Sequence, residues 1–479
     1  MDRREFLKRG MGAAVVSSSL FSACKGSKKQ QVKGQGELDG GGEMTMRTNP
    51  NTGDQVSLLG YGMMRLPVEG GGTVHESPDA PVDQEQVNRL VDYAIEHGVN
   101  YFDTAPVYCK GFSEHATGIA LSRHPRNSYF IATKMSNHNM VGQGLSHDEI
   151  YRRSVEMYRN SMKELQVDYI DYYLLHSIGG GVAYGSNTDD GMPVLRERFL
   201  DSGVLDFLMA ERRAGRIRNL GFSFHGDVKV FDFMLRQHDE GRYHWDFVQI
   251  ELNYLDWNYA HQINERNTNA SYLYNEVHRR GIPATIMEPL LGGRLARQPD
   301  FIVRRMKQRE PESPVARWAF RYAGTPDGVL TVLSGMTYME HLQQNVATFS
   351  PLRPMTDEED KFLMEIADEL FRLNAIPCTA CQYCMPCPYG LNIPAIFTHF
   401  NKCLTESELI SGRLTGNEYL RLRRAFLIGY DRSVPRLRQA DHCIGCGQCA
   451  PHCPQRIDIP RQMRRIDELV EQLKRSVPA

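Results

Sequence analysis

The stretch Gly98–Tyr108, GVNYFDTAPVY, decides the fold. It follows QEQVNRLVDYAIEHG, where apolar residues recur three and four apart, the spacing of an amphipathic helix. Its own apolar run stops at a carboxylate, Asp103, as a strand does where it meets a loop. Helix, strand and loop in that order make half of a β/α unit. The alternation extends in both directions. Strand candidates are VSLLGYGM, NYFDTA, YFIATK, DYYLLH, RNLGFSF, FVQIELN, PATIME and VLTVLSG, with helical stretches such as DEIYRRSVEMYRNSMKELQ and ASYLYNEVHRRG between them. Eight strands alternating with helices predict a (β/α)8 barrel over residues 53–350, an α/β fold of the TIM-barrel class. A doubly wound sheet is the alternative, but no G-x-G-x-x-G follows the first strand.

Chemistry in such barrels sits at the C-terminal strand ends. Those ends carry Asp103 and, five residues on, Tyr108; Lys134 in IATK; and His176 in LLH. Four such residues on successive strand ends, with GYGMMRLP, GVNYFDTAPVY and LLGGRL, resemble the aldo/keto reductase family over nearly all the barrel. The resemblance implies interconversion of a small carbonyl and an alcohol. Hydride addition leaves an alkoxide that needs a proton, which Tyr108 would give. An unperturbed phenol, with a pKa of about 10, is a poor donor. Lys134 is expected to lower that pKa, Asp103 to balance the lysine, and His176 to donate to the substrate oxygen.

The resemblance also implies a nicotinamide cofactor, with NAD and NADP not distinguished. Gly62 and Met63 would lie beside the ring, Ser223 and Gln249 at its carboxamide, and Gly292, Gly335 and Asn345 along the rest of the dinucleotide. Two positions depart from the family: Phe224 stands where Asn is common, and Met287 where an aromatic side chain stacks. Only His341 is offered where a basic residue would grip a 2′-phosphate, so a different redox group stays open. The Gly-rich segment SIGGGVAYGSNTDDGM after His176 is either a lid or a surface excursion.

Eight of the 11 cysteines crowd into two runs. CTACQYCMPCP holds Cys378, Cys381, Cys384 and Cys387; CIGCGQCAPHCP holds Cys443, Cys446, Cys449 and Cys453. The second matches C-x2-C-x2-C-x3-C-P, a [4Fe–4S] pattern in which the fourth cysteine of each run serves the other cluster. On that pattern Cys378, Cys381, Cys384 and Cys453 hold one cluster, and Cys443, Cys446, Cys449 and Cys387 the second. Zinc sites and disulfides compete, but neither asks for evenly spaced triplets followed by Cys-Pro. The helical segment between the runs makes residues 351–479 resemble the α-helical ferredoxin domain. Cys109 and Cys403 are expected to be inert thiols.

The N-terminus, DRREFLK, precedes a short apolar run from Met11 to Phe21 and resembles a twin-arginine export signal, whose machinery carries folded proteins. FSAC resembles a lipobox, with Cys24 the possible lipid anchor, which divides a signal (1–24) from a flexible linker (25–52). The expected location is periplasmic or lipid-anchored on the outer side of the cytoplasmic membrane. A net charge of −2 gives no sign of a nucleic-acid partner. Clusters pass single electrons, so a one-electron redox partner is expected, with any dinucleotide retained through turnover. The competing hypothesis is an electron-transfer protein whose barrel only docks.

Overall fold

The computed structural model describes residues 42–74, 76–77, 79–180, 190–406 and 416–475. The segment expected to be an export signal, Cys24 and most of the Gly-rich segment after His176 lie outside these residues. A hairpin, β1 (Met46–Thr48) with β2 (Gln55–Ser57), precedes eight parallel strands. These are β3 (Leu59–Gly62), β4 (Tyr101–Asp103), β5 (Phe130–Met135), β6 (Ile170–Ile178), β7 (Ile217–Phe224), β8 (Phe247–Glu251), β9 (Ala284–Met287) and β10 (Val329–Ser334). They follow one another round a closed barrel in chain order, and β10 returns to β3. All eight strand candidates are strands, and the fold is the (β/α)8 barrel.

Two apolar layers hold it. Inside the barrel, Tyr101, Ala132, Tyr172, Leu174, Phe247 and Leu330 pack together, with Tyr101 and Tyr172 ring centres 4.9 Å apart. Outside, strand residues such as Phe102, Ile131 and Leu175 meet the helices. The helix Gln84–Glu96 faces them with Val87, Leu90, Val91 and Ala94, and Asp83 caps it by accepting the Gln86 N–H. Alternation of side chains across each strand assigns one set to each layer.

Both edges of the barrel differ from the sequence reading. The stretch read as linker already contains β1, and Asn49 is wholly buried, its Nδ2 donating to the Tyr172 hydroxyl at 2.9 Å and Asn219 Oδ1 at 3.1 Å. These few polar residues close the bottom of the barrel, which no periodicity reveals. At the other edge, the helix Asp357–Arg372 lays Phe362, Leu363, Ile366 and Ala367 into the barrel's outer layer. Buried Arg321 donates to Glu359 in its first turn. A second core starts only at Ile376; the helices Ile393–Glu406, Gly416–Ser433 and Ile459–Arg475 build it from Ile396, Phe397, Phe400, Phe426, Tyr430, Met463 and Ile466. Among the described residues, no helix is long and apolar enough to cross a membrane.

Candidate active site and cysteine cavities

The strands bring the four strand-end residues together. Asp103 closes β4 and pairs in register with Gly62 of β3. Lys134 is the penultimate residue of β5, and its Nζ donates to Asp103 Oδ1 at 2.5 Å and to the Thr104 carbonyl at 2.8 Å. Both side chains are buried, Lys134 at 0% exposure and Asp103 at 3%. Lys134 Nζ also stands 4.7 Å from the centre of the Tyr108 ring. His176 of β6 meets that ring edge-on, with centres 5.8 Å apart. Its Nδ1 is 2.6 Å from Ser136 Oγ, and Arg198 Nη2 donates to its carbonyl at 2.7 Å. These bonds fix the orientation of the imidazole.

Burial sets the charge states. It pushes the Asp103 carboxyl up and the Lys134 amine down, while their mutual attraction opposes both. Burial holds His176 well below its usual range, helped by Lys134, so the imidazole is neutral. The phenol departs from expectation. Tyr108 is pushed well above the ordinary tyrosine range, first by burial and then by Asp103 and Glu288. Lys134 Nζ, 4.7 Å from the ring centre, pulls the other way, but it is shared with Asp103 at 2.5 Å and burial outweighs it in the resting site.

The residues expected along a dinucleotide are less available. Ser223 and Gln249 face each other in register, but Ser223 Oγ accepts the Ser177 N–H at 2.7 Å and Gln249 Nε2 donates to Asp103 Oδ2 at 3.3 Å. Asn345 Nδ2 donates to Ser334 Oγ at 3.0 Å, and the Met63 side chain is wholly buried. Gly292 has φ +66, and a Cβ on it would fall 2.5 Å from Thr379 Cα. The Arg65 side chain lies along Gly335, 3.4 Å from where a Cβ would be. The residues present therefore do not fit an open dinucleotide groove.

The cysteines divide between two cavities. Cys378, Cys381, Cys384 and Cys453 line one, with Thr379, Ile393 and Phe397. Cys387, Cys443, Cys446 and Cys449 line the other, with Leu391, Ile459 and Met463. Each cavity takes three thiols from one run and the last from the other. None of the cysteines among the described residues is in a disulfide. Nor, among those residues, do three His, Cys, Asp or Glu side chains converge on a single metal ion. Thiols spread round a cavity fit a cubane, in which each sulfur binds a different iron, and do not fit one tetrahedral zinc.

Residues 58–367 match the aldo/keto reductase family, and residues 377–457 the 4Fe-4S dicluster domain. The chain belongs to the aldo/keto reductase family. It is an oxidoreductase of that type, with a C-terminal iron–sulfur region. L-galactose dehydrogenase of Arabidopsis thaliana is 23% identical over 341 residues, 66% of this chain and 92% of that protein. A thermostable aldo-keto reductase solved with the inhibitor epalrestat has the same fold, at 19% identity and TM-score 0.50, over 67% of this chain and 100% of that one. An aldo-keto reductase from Klebsiella pneumoniae, solved with NADPH, aligns at 20% identity and TM-score 0.48, over 68% and 96%.

Several residues that the sequence reading missed join the aldo/keto reductase site. Tyr383, between two cysteines of the first run, has an enclosed hydroxyl with no hydrogen-bond partner among the described residues and lies within electrostatic reach of Tyr108 and Arg65. Arg65 Nη2 donates to the Thr379 carbonyl at 2.7 Å. Gln455, just after the second run, donates from Nε2 to Glu251 Oε1 at 2.7 Å. His138 packs edge-on to His176 at 5.8 Å, and burial, with Arg198 and His452 near, pushes it down to about 3. Arg65 stood in GYGMMRLP all along; nothing in the cysteine runs signalled that Tyr383 reaches the barrel.

Proposed function

We propose that this protein is an iron–sulfur aldo/keto oxidoreductase that interconverts a carbonyl and an alcohol and exchanges electrons with a one-electron partner. The observation that carries this reading is the arrangement of Lys134, 2.5 Å from Asp103 and 4.7 Å from the Tyr108 ring, beneath a loop of cysteines. Cys378, Cys381, Cys384 and Cys453 would hold one [4Fe–4S] cluster and Cys387, Cys443, Cys446 and Cys449 a second, each supplying one-electron transfer when bound.

The barrel residues manage the protons. The raised Tyr108 keeps its proton at rest. As negative charge grows on the substrate oxygen, the phenol gives up that proton, and the Lys134 ammonium stabilises the phenolate. Asp103 keeps the ammonium in place. Neutral His176 shares a hydrogen bond between Nδ1 and the Ser136 hydroxyl, and the tautomer that accepts there keeps Nε2–H to orient the oxygen. Reduction of one carbonyl consumes two electrons and two protons.

Viologen-linked reduction of a panel of aldehydes and ketones, under anaerobic conditions, tests this. Turnover that Tyr108→Phe abolishes supports it; no turnover with any carbonyl or alcohol contradicts it. The covered Gly292 favours a second reading, in which this chain is an electron-transfer iron–sulfur protein whose barrel only serves for docking. That reading predicts no activity for Tyr108→Phe to remove.

The N-terminal residues support export by the twin-arginine route and a lipid at Cys24. Clusters bind only in a shaped site, so a chain carrying them has to cross a membrane folded.

A further inference from the structure

We propose that the loop Cys378–Cys384 is a fixed roof over the dinucleotide face of the barrel, so that nicotinamide dinucleotides in solution do not reach the Tyr108 site. The inference rests on reading that site as an aldo/keto reductase centre. Three independent observations carry it.

Space comes first. A Cβ on Gly292 would lie 2.5 Å from Thr379 Cα and 2.8 Å from its carbonyl oxygen. Backbone packs on backbone there, with no layer left between them for a ligand. Thr379 itself is 5% exposed.

Charge comes second. A pyrophosphate needs free N–H groups and positive potential. The Gly292 N–H already donates to Glu288 Oε2 at 2.5 Å, so a side chain of the protein takes the donor a phosphate oxygen would need. Burial, and then the Glu251 carboxylate nearby, push the Glu288 carboxyl up, so the surroundings disfavour a further anion. Arg65, which could have met a phosphate, lies along Gly335 and donates instead to the Thr379 carbonyl.

Attachment comes third. The cysteine module is pinned to the barrel rim on two sides. On one side, Arg65 bonds Thr379, and Thr337 Oγ1 donates to the Arg65 carbonyl at 2.7 Å. On the other, Gln455 Nε2 reaches Glu251 at 2.7 Å, Asn264 Nδ2 donates to the Gln455 carbonyl at 2.6 Å, and Arg456 Nη1 donates to the Arg266 carbonyl at 2.6 Å. Lifting the roof breaks the Arg65, Gln455 and Arg456 bonds together, so a swinging lid is disfavoured.

The test is fluorescence titration of the anaerobically purified full-length holoprotein with NADPH and with NADH, up to about 1 mM, the upper range of ordinary KM values. Nucleotide analysis of the supernatant after denaturation accompanies it. The expected results are no saturable fluorescence change and no dinucleotide released. Saturable binding at micromolar NADPH or NADH, or one dinucleotide released per chain, overturns the roof. Viologen-linked carbonyl reduction in the same preparation reports on the catalytic reading separately: binding with turnover sinks only the roof, and no binding with no turnover sinks only the reductase.

Discussion

Thr379 sits backbone-to-backbone on Gly292, with its Cα 2.5 Å from where any Cβ on that glycine would be. One residue belongs to the first cysteine run and the other to the loop after β9, so this contact is where the iron–sulfur region and the barrel become one object. Gly292 has to be glycine twice over. Its φ of +66 is strained for a side chain, and the space is already taken.

Replacing it is therefore costly. Gly292→Ala is expected to lose about 3 kcal/mol, from strain and overpacking together. Limited proteolysis should find new cleavage near residues 373–377, which join the two cores. Unchanged melting and unchanged cleavage would show that the contact does not join them.

Tyr108→Phe tests the proton donor. Carbonyl reduction should fall by about 10²- to 10⁴-fold, with iron content unchanged. An equal loss of iron and activity would point to a structural role instead.

Arg294 offers a test of communication between the regions. Its Nη1 is enclosed without a partner among the described residues, and its charge acts on Cys378. Cluster potentials follow local charge and hydrogen bonding. Arg294→Gln should lower the potential of the site formed by Cys378, Cys381, Cys384 and Cys453 by about 50 mV or more in an EPR-monitored redox titration. The potential of the other site should stay put. Equal shifts in both would remove the local explanation.

Glu114 gives the fold a pH signature. Burial pushes its carboxyl from 4.5 up to about 7, partly offset by the Thr133 hydroxyl donating to Oε1 at 2.5 Å. The folded chain thus holds a proton that the unfolded chain releases, and the stability tied to it is lost as pH rises from 4.5 through 7. The effect is about 3 kcal/mol at most. Thermal melts of the wild type and Glu114→Gln at pH 5 and pH 8 should show the variant losing less stability between the two. Parallel losses would contradict the assignment.

The barrel was legible because its strands are short apolar runs that end on polar residues, and periodicity shows them directly. The group of Asp103, Tyr108, Lys134 and His176 followed from position on those ends. The division of the cysteines followed from spacing. What the sequence concealed is the meeting of the two regions. Hydrogen bonds such as Arg65–Thr379 and Gln455–Glu251 join residues some two to three hundred positions apart and leave no local pattern. Nor does the sequence show how far burial raises the resting Tyr108 phenol, because that depends on what the fold packs around it.

The account rests most on the eight cysteines, and iron and acid-labile sulfide analysis of anaerobically purified protein, with EPR after dithionite reduction, tests them most directly. It predicts about eight irons and eight sulfides per chain and the broadened spectrum of two interacting reduced clusters. Protein that comes out colourless, with zinc or disulfides at these cysteines, would contradict it.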